Sequence, residues 1–156
     1  YTVSKRMLSS FVSSYKHDFT HWHFYIPTIY GAGENPKRLI PYVINAIRNG
    51  EELHFTAGDQ TRQYVHVSEV PRMLAQAFDK NLPSGLYNIQ GKETVTVKEI
   101  VTEIHHAMGK EVPDGCFGSV QRADVGMKYL ALDGKKLHDA TGFEASIKIT
   151  DVIDTY

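Results

Sequence analysis

The residue pair with the most specific chemistry is Tyr1 and Lys5, four positions apart in a segment with helical patterning. On a helix, side chains at this spacing lie on one face about one turn apart. An ammonium group beside a phenol stabilises the phenolate and lowers the pKa of the phenol. A tyrosine tuned in this way can act as a general acid or base near neutral pH. Surface helices carry the same pair by chance, so the interpretation needs support from the rest of the chain.

Eight histidines raise the question of a metal site, but their spacing argues against one. His21 with His23, and His105 with His106, lack a third ligand at a compatible spacing. His66 alternates with apolar neighbours and is expected to be a strand residue with a hydrogen-bonded ring. The sequence therefore predicts no metal site.

The composition is that of an ordinary globular domain, with 156 residues, 17 Lys and Arg, 18 Asp and Glu, and a formal net charge of -1. This balance provides no basic field for nucleic acid or an anionic membrane, so neither is expected as a partner. The single cysteine, Cys116, lacks a catalytic histidine context and fits a reducing compartment. No apolar run approaches the roughly 20 residues of a membrane span, and no secretory pattern opens the chain. A cytoplasmic protein is expected.

The elements that must position these residues begin with a helix over YTVSKRMLSSFVSSY, where apolar residues share one face. HWHFYIPTIYG is expected to form one buried strand, ended by Pro27 and the glycines that follow. Asn35 and Pro36 are typical of a helix start, and an apolar face continues to Gly50. LHFT and QYVHV are short strand candidates on either side of a turn.

The second half continues the alternation of helices and strands. Ser68 is expected to cap a helix through MLAQAFD, and LYNIQG follows as a strand. Thr96 and Glu99 form a capping-box pattern before VKEIVTEIHHAMG. YLAL is a short strand, a helix follows around 136–140, and an amphipathic turn begins at Ile149. Such alternation predicts an α/β fold.

A dinucleotide-binding fingerprint is missing from the sequence. It would place spaced glycines directly after a strand and at the start of a helix, and the glycines of GAGE and DGCFG lack that context. If the chain binds a dinucleotide, the half that holds the pyrophosphate is expected elsewhere. Because the chain starts at Tyr1 rather than Met, it is expected to be processed or part of a longer protein.

Seven sequence blocks occur in an order that resembles the second half of the extended short-chain dehydrogenase/reductases. The blocks are YTVSK, YIPTIYGAGE, RLIPYVINAIRNG, GDQTRQYVHVSEV, GLYNIQG, VTVKEI and RADV, with LDGKKL and TGF after the last. Within that family the chain looks like the NAD-dependent nucleotide-sugar epimerases and dehydratases. The resemblance extends over essentially all of residues 1–156.

The resemblance implies roles for the residues near a cofactor, NAD or NADP. Tyr1 would exchange a proton with a sugar hydroxyl while hydride passes between the sugar and the nicotinamide. Lys5 would bind the nicotinamide ribose and lower the Tyr1 pKa, in agreement with the physical argument above. Pro27 would lie against the nicotinamide and Thr28 on the substrate phosphates. The family more often has Asn in place of Thr28, and Arg in place of Tyr25.

The same resemblance implies a nucleotide-sugar site. Arg62 and Arg122 match two arginines that bind the diphosphate, for which the planar guanidinium group is suited because it forms two parallel charge-assisted hydrogen bonds. Outside such blocks, an isolated arginine is more often a solvated surface charge. Asp124 matches an acid that meets a ribose hydroxyl or orients the arginine. Residues that would border the nucleotide base are Leu39, Ile40 and Phe55.

The implied architecture is the C-terminal part of a Rossmann-type doubly wound parallel sheet, interleaved with a small α/β substrate-binding lobe. Residues 1–34 and 62–93 would belong to the NAD-binding lobe, and residues 35–61 and 94–156 to the nucleotide-sugar lobe. The first helix would pack against its copy in a homodimer, because helices at this position in the family form a four-helix bundle.

The expected function is NAD(P)-dependent conversion of a nucleotide-diphosphate sugar at C4. The sequence leaves open whether the reaction is epimerisation, 4-ketoreduction or dehydration, and which nucleotide and sugar are used. The alternative is a catalytically silent module that binds a nucleotide sugar and lacks the cofactor half.

Overall fold

A computed structural model describes residues 2–14, 18–121 and 127–156. Tyr1, Tyr15, Arg122 and Asp124 therefore lie outside the described residues. The α-helices are α1 Thr2–Ser14, α2 Leu39–Asn49, α3 Glu69–Asp79, α4 Val97–Ala107 and α5 Lys135–Thr141, and a 3-10 helix spans Ile149–Thr155. The strands are β1 Trp22–Tyr25, β2 Thr28–Tyr30, β3 Thr61–His66, β4 Gly85–Asn88, β5 Glu93–Thr96 and β6 Tyr129–Leu130.

The strands form two small sheets, and the predicted α/β class is confirmed. In the first sheet β1 pairs in parallel with β4, with His23 opposite Leu86. The second sheet is centred on β3, which pairs in parallel with β2 and β6 and antiparallel with β5. Parallel strands joined through helices are the arrangement expected for a chain in which helices and strands alternate.

The prediction of a single strand in HWHFYIPTIYG was wrong, but the predicted stop at Pro27 is confirmed. The segment forms two strands that belong to different sheets, β1 ending at Tyr25 and β2 beginning at Thr28. Pro27 lies between them and is buried. Proline has no backbone N–H for a sheet ladder, which favours a break at this point.

The prediction that α2 starts at Asn35 was also wrong, because the helix begins at Leu39. The Asn35 side chain instead accepts a hydrogen bond from the Lys37 backbone N–H at 2.9 Å, and its carbonyl accepts one from the Arg38 N–H. Asn35 thus builds a turn ahead of the helix, a role that its short amide side chain favours. Gly50 ends the helix in the left-handed conformation at φ 69°, as predicted.

Three further expectations had mixed outcomes. LHFT is not a strand, since only an isolated bridge joins Phe55 to Phe117. Ser68 occupies the residue before α3 but makes no side-chain cap; its Oγ lies 2.8 Å from His66 Nδ1, which confirms a hydrogen-bonded ring for that histidine. The Thr96 and Glu99 capping box is confirmed, with both reciprocal bonds present.

Buried side chains form two clusters. The first surrounds α2, α4 and the 3-10 helix, and the second lies between α3, α5 and the β1–β4 sheet. The first contains, among others, Tyr30, Val43, Ile44, Tyr64, Ile100, Ile104 and Ile149. The second contains Val65, Met73, Ala77, Leu82, Tyr87, Ile89, Leu137, Phe143 and Ala145. The predicted division into two lobes stays a prediction.

Two buried glutamates form hydrogen bonds with segment 146–149, which joins the two clusters. Glu69 is 1% exposed and accepts hydrogen bonds from the Ser146 and Ile147 backbone N–H groups and from Arg72. Burial alone would raise the Glu69 pKa, but these donors together lower it. Glu93 accepts a bond of 2.8 Å from the Ile149 N–H. The pKa of Glu93 is raised because burial outweighs that single bond.

Helix α1 exposes most of its apolar side chains. Val3, Met7 and Phe11 are between 61% and 70% exposed, and Leu8 is 49% exposed. Its predicted helical structure is confirmed over Thr2–Ser14. Across the part of the chain that the structure describes, no helix has the length and apolarity to cross a membrane.

Candidate functional site

An open cleft of about 1270 Å³ lies in the described part of the chain. Its walls come from the start of α2, the turn before β3, the start of α4 and the segment before β6. Three predicted site residues, Leu39, Phe55 and Arg62, line it. The lining also includes Lys37, Tyr42, His54, Thr56, Ala57, Asp59, Gln60, Val97, Gly118, Val120, Gln121 and Lys128.

The floor of the cleft is one face of the sheet around β3. Arg62 lies opposite Leu130 of β6, and the Thr61 N–H donates to the Lys128 carbonyl at 2.8 Å. Residues two apart on a strand share a face, and Gln60, Arg62 and Lys128 all line the cleft. Arg62 is half-buried, and its Nη1 donates to the Thr61 carbonyl at 2.8 Å. That bond fixes one edge of the guanidinium group beside the strand.

One wall of the cleft is aromatic. The rings of Phe55 and Phe117 stack with centroids 5.7 Å apart, and Tyr42 meets Phe55 edge-on at 6.2 Å. Lys98 Nζ lies 5.6 Å from the centroid of Phe117 on the same cluster. Of these side chains, Tyr42 and Phe55 line the cleft, and aromatic rings suit contact with a planar heterocycle.

Backbone pairing holds this wall in place. The Phe55 N–H donates to the Cys116 carbonyl at 2.8 Å, and the Phe55 carbonyl accepts from Val120 at 3.2 Å. The Gly118 N–H donates to the Thr56 carbonyl at 3.1 Å. Residues 116–121 are thereby fixed beside the cleft directly ahead of Arg122 in the sequence.

The cleft carries more positive than negative charge among its described side chains. The lining contains three basic side chains, those of Lys37, Arg62 and Lys128, and one carboxylate, that of Asp59. His54 adds a titratable ring, whose Nδ1 lies 3.4 Å from Ser119 Oγ. An anionic ligand is the electrostatic complement of this arrangement.

Sequence reasoning missed Lys37, His54 and Lys128 as cleft residues. Lys37 follows the Asn35 turn, and Lys128 directly precedes the short strand at YLAL, so both stand next to elements that the sequence predicted. Single lysines in loops carry no spacing signal. Only the pairing of β6 with β3 brings Lys128 to the face of Arg62.

Other predicted site residues do not line the cleft. Ile40 is 3% exposed in the first buried cluster, so its side chain does not line the cleft and is left out of the proposed site. Thr28 lies in β2 opposite Tyr64, and Pro27 is buried at the break before it. Lys5 is exposed on α1. Tyr1, Arg122 and Asp124 fall outside the described residues.

Groups of three or more histidine, cysteine or acidic residues able to hold a metal are absent from the residues described by the structure. Cys116 is buried, and burial raises the pKa of its thiol. A raised pKa disfavours the nucleophilic thiolate, in agreement with the expected inert cysteine.

Comparisons with known proteins place these observations in context. The sequence profile of the NAD dependent epimerase/dehydratase family matches residues 1–89. A dTDP-glucose 4,6-dehydratase from Streptomyces griseus is 26% identical over 127 residues, which cover 78% of this chain and 37% of that protein. The chain thus spans about a third of the length of this curated relative.

Two solved structures have the same fold. The dTDP-glucose 4,6-dehydratase from Bacillus anthracis in complex with NAD superposes with a TM-score of 0.73 at 19% identity, covering 86% of this chain and 44% of that one. The UDP-N-acetylglucosamine 4-epimerase from Methanobrevibacter ruminantium in complex with UDP-N-acetylmuramic acid gives 0.77 at 18% identity, covering 99% and 49%. The likeness establishes a shared Rossmann-like α/β fold.

Proposed function

Because the chain belongs to the NAD dependent epimerase/dehydratase family, we propose that it supplies the catalytic and substrate-binding part of an enzyme that converts a nucleotide-diphosphate sugar at C4. Epimerisation, 4-ketoreduction and dehydration all remain candidate reactions. The activity is proposed for a longer protein, since the chain spans only 37% to 49% of the relatives compared above.

The observation that carries this proposal is the pairing of an arginine floor with an aromatic wall in one cleft. Arg62 would bind the diphosphate, and Tyr42 with Phe55 would border the base. The two parts suit the two chemically different ends of a nucleoside diphosphate, one anionic and one planar. Arg122 and Asp124, which follow the fixed segment 116–121, would add the second arginine and a contact to the ribose.

The residues of α1 and β1 fit the proposed cofactor, NAD or NADP. A helix that packs beside the next strand of an α/β unit runs antiparallel to it, which directs Lys5 towards the Tyr25 end of β1. Ligands of parallel α/β sheets bind at the carboxyl ends of the strands. There Lys5 would bind the nicotinamide ribose and Pro27 would support the ring.

Tyr1 would hold and move one proton in this scheme. The chemistry that a bound nicotinamide would supply is hydride exchange with the sugar. Tyr1 would take the proton from the sugar hydroxyl and return it, and the Lys5 ammonium would stabilise the phenolate in between. Thr28, at the start of β2, would contact the substrate phosphates.

Assembly and compartment belong to the same proposal. Residues 1–34 and 62–93 would form part of the NAD-binding lobe, and residues 35–61 and 94–156 the nucleotide-sugar lobe. The exposed apolar face of α1 would pack against its copy in a homodimer. The expectation of a cytoplasmic protein stays a prediction.

A second candidate function is a silent module that binds a nucleotide sugar without cofactor. The contrast between two features favours it. The cleft is assembled within this chain, whereas the sequence lacks a glycine fingerprint for binding a pyrophosphate. Turnover of a nucleotide sugar with NAD distinguishes the two functions.

The test of the proposed site is calorimetric titration with UDP, TDP and CDP. Charge-assisted bonds from Arg62 are worth about 1.5 to 3 kcal/mol, so Arg62→Ala should weaken binding roughly ten- to a hundredfold. Arg62→Lys should recover only part, because an ammonium lacks the planar fork. Arg48→Ala, at the end of α2 and away from the cleft, is the matched control. Unchanged affinity in Arg62→Ala would show that the arginine is a surface charge.

A further inference from the structure

A side-chain hydrogen bond joins α1 to the β1–β4 sheet. Ser9 Oγ of α1 lies 3.2 Å from His23 Nε2 of β1. Within residues 3–14, only Ser9 and Val12 are half-buried, and the other side chains are exposed. Positions 9 and 12 share one helix face. The helix therefore approaches the sheet on the side that carries Ser9.

The other hydrogen bond of Ser9 Oγ favours the histidine as the donor in this contact. Ser9 Oγ also donates to the Lys5 carbonyl at 3.1 Å within the helix. A hydroxyl has one hydrogen to donate and two lone pairs to accept with. With that hydrogen on the Lys5 carbonyl, Ser9 Oγ accepts from an Nε2–H of His23. Ser9 thus connects the strand directly to the backbone of Lys5.

His23 is itself held by the strand around it. It lies opposite Leu86 in the parallel pairing of β1 with β4, and the Tyr25 ring meets its imidazole edge-on at 5.3 Å. On the other face of β1, Trp22 and Phe24 pack against the second buried cluster. The imidazole projects from a strand that is fixed on both sides.

We propose that His23 is a positioning residue for the Tyr1 and Lys5 pair, acting through Ser9. The inference rests on the proposed function of that pair. Lys5 stands one turn before Ser9, so these two residues share the face that approaches the sheet. The Ser9 to His23 bond then sets how far this face stands from the strand whose end would receive the nicotinamide. A displacement of about 1 Å at a reacting group can cost about a hundredfold in rate.

The kinetic test uses the full-length protein with NAD and its nucleotide sugar. His23→Ala should lower kcat roughly tenfold or more and weaken NAD binding, while KM for the sugar nucleotide stays within about twofold. His23→Gln should restore most of kcat, because its amide nitrogen reaches about as far as Nε2 and donates. His23→Asn, whose amide corresponds to Nδ1, should not. Wild-type kcat and NAD affinity in His23→Ala would overturn the proposal.

Ser13→Ala is the matched control. Ser13 Oγ donates to the Ser9 carbonyl at 2.7 Å, so this variant removes a hydroxyl and an intrahelical bond from α1 without touching the link to β1. It should leave kcat and NAD affinity unchanged, whereas Ser9→Ala should resemble His23→Ala. Equal losses in Ser9→Ala and Ser13→Ala would assign the effect to helix stability and contradict the proposal.

Amide hydrogen exchange of α1 gives a readout independent of turnover. Ser9→Ala and His23→Ala should speed exchange across α1 by several-fold, and His23→Gln should not. If the exchange rates of His23→Ala match those of wild type, the Ser9–His23 bond does not hold α1 in place and the proposal fails. If the exchange data show that this bond holds α1 but Tyr1→Phe has normal turnover, the proposed function fails instead.

Discussion

The rings of Phe55 and Phe117 stack at an interplanar angle of 28° across an isolated parallel bridge between their backbones. The contact joins the turn before β3 to the segment that leads to Arg122. Phe55 lines the cleft, and its contact with Phe117 anchors the segment that precedes a second proposed phosphate ligand. Loss of either ring should affect both functions of this wall.

The first prediction concerns this stack. Phe117→Ala removes the stacking contact with Phe55, which is worth roughly 0.5–1.5 kcal/mol beyond burial. It also frees the segment before Arg122. Affinity for a nucleoside diphosphate should fall about tenfold by calorimetry. Phe78→Ala is the control, because Phe78 is 74% exposed on α3. Equal affinities of wild type and Phe117→Ala would show that the wall is not part of the binding site.

A second prediction follows from Glu69. Glu69→Gln keeps the size of the side chain but replaces an oxygen that accepts from N–H donors with an amide donor, so unfolding free energy at neutral pH should fall by about 1.5–3 kcal/mol. The folded-state pKa is lowered, so the stabilisation is complete above the usual glutamate pKa and is lost as the pH falls through the lowered value. Urea unfolding at neutral and acid pH measures it. A difference between the two proteins that persists unchanged in acid would contradict the assignment.

Glu93 should behave in the opposite way. Its folded-state pKa is raised by burial, so its stabilising contribution is present below the usual glutamate pKa and is lost as the pH rises through the raised value. Glu93→Gln has no charge to bury and keeps an oxygen for the Ile149 N–H. The variant should unfold at equal or higher urea concentration than wild type at neutral pH, and the advantage should disappear in acid. Marked destabilisation at neutral pH would show that the charge is needed.

The fourth prediction concerns chemistry at Tyr1. Tyr1→Phe in the full-length protein deletes the ionisable group and keeps the ring, so turnover should drop by about a hundred- to ten-thousandfold with little change in KM. Steady-state kinetics with NAD and a nucleotide sugar provide the measurement. A Phe variant with normal turnover would assign Tyr1 to packing.

The fifth prediction concerns assembly through α1. Phe11→Glu places a charge in the exposed apolar face formed with Val3 and Met7. The full-length protein should be a homodimer by light scattering, and this variant should be a monomer. Phe78→Glu, which adds the same charge on α3, should remain dimeric. A monomeric wild type at tens of micromolar would remove the proposed role of α1.

The features that the sequence predicted well are those decided within a few residues. Thr96 and Glu99 determine a helix start through their own side chains, and Gly50 ends α2 because it adopts a positive φ without a Cβ penalty. The α/β class follows in the same way from the alternation of helical and strand hydrophobic patterns along the chain.

The features that it missed depend on partners distant in sequence. β5, over Glu93–Thr96, has one large apolar residue and becomes a strand because β3 pairs with it. Around Phe55 the apolar pattern predicted a strand, but only a single bridge to Phe117 is available. The cleft was predicted in part, through Leu39, Phe55 and Arg62. Lys128, by contrast, is brought to it by the pairing of β6 with β3.

One edge of β3 is shared end to end by β2, along Tyr64–His66, and by β6, along Thr61 and Arg62. Because β6 follows β2 and β3 in the sequence, this part of the edge is synthesised after the rest. Until then the backbone at Thr61 and Arg62 has no partner on that side, and an open edge is a template for pairing with other nascent chains. A charged side chain at such an edge opposes stacking of identical copies. We therefore expect the charge of Arg62 to oppose such pairing before β6 covers this part of the edge.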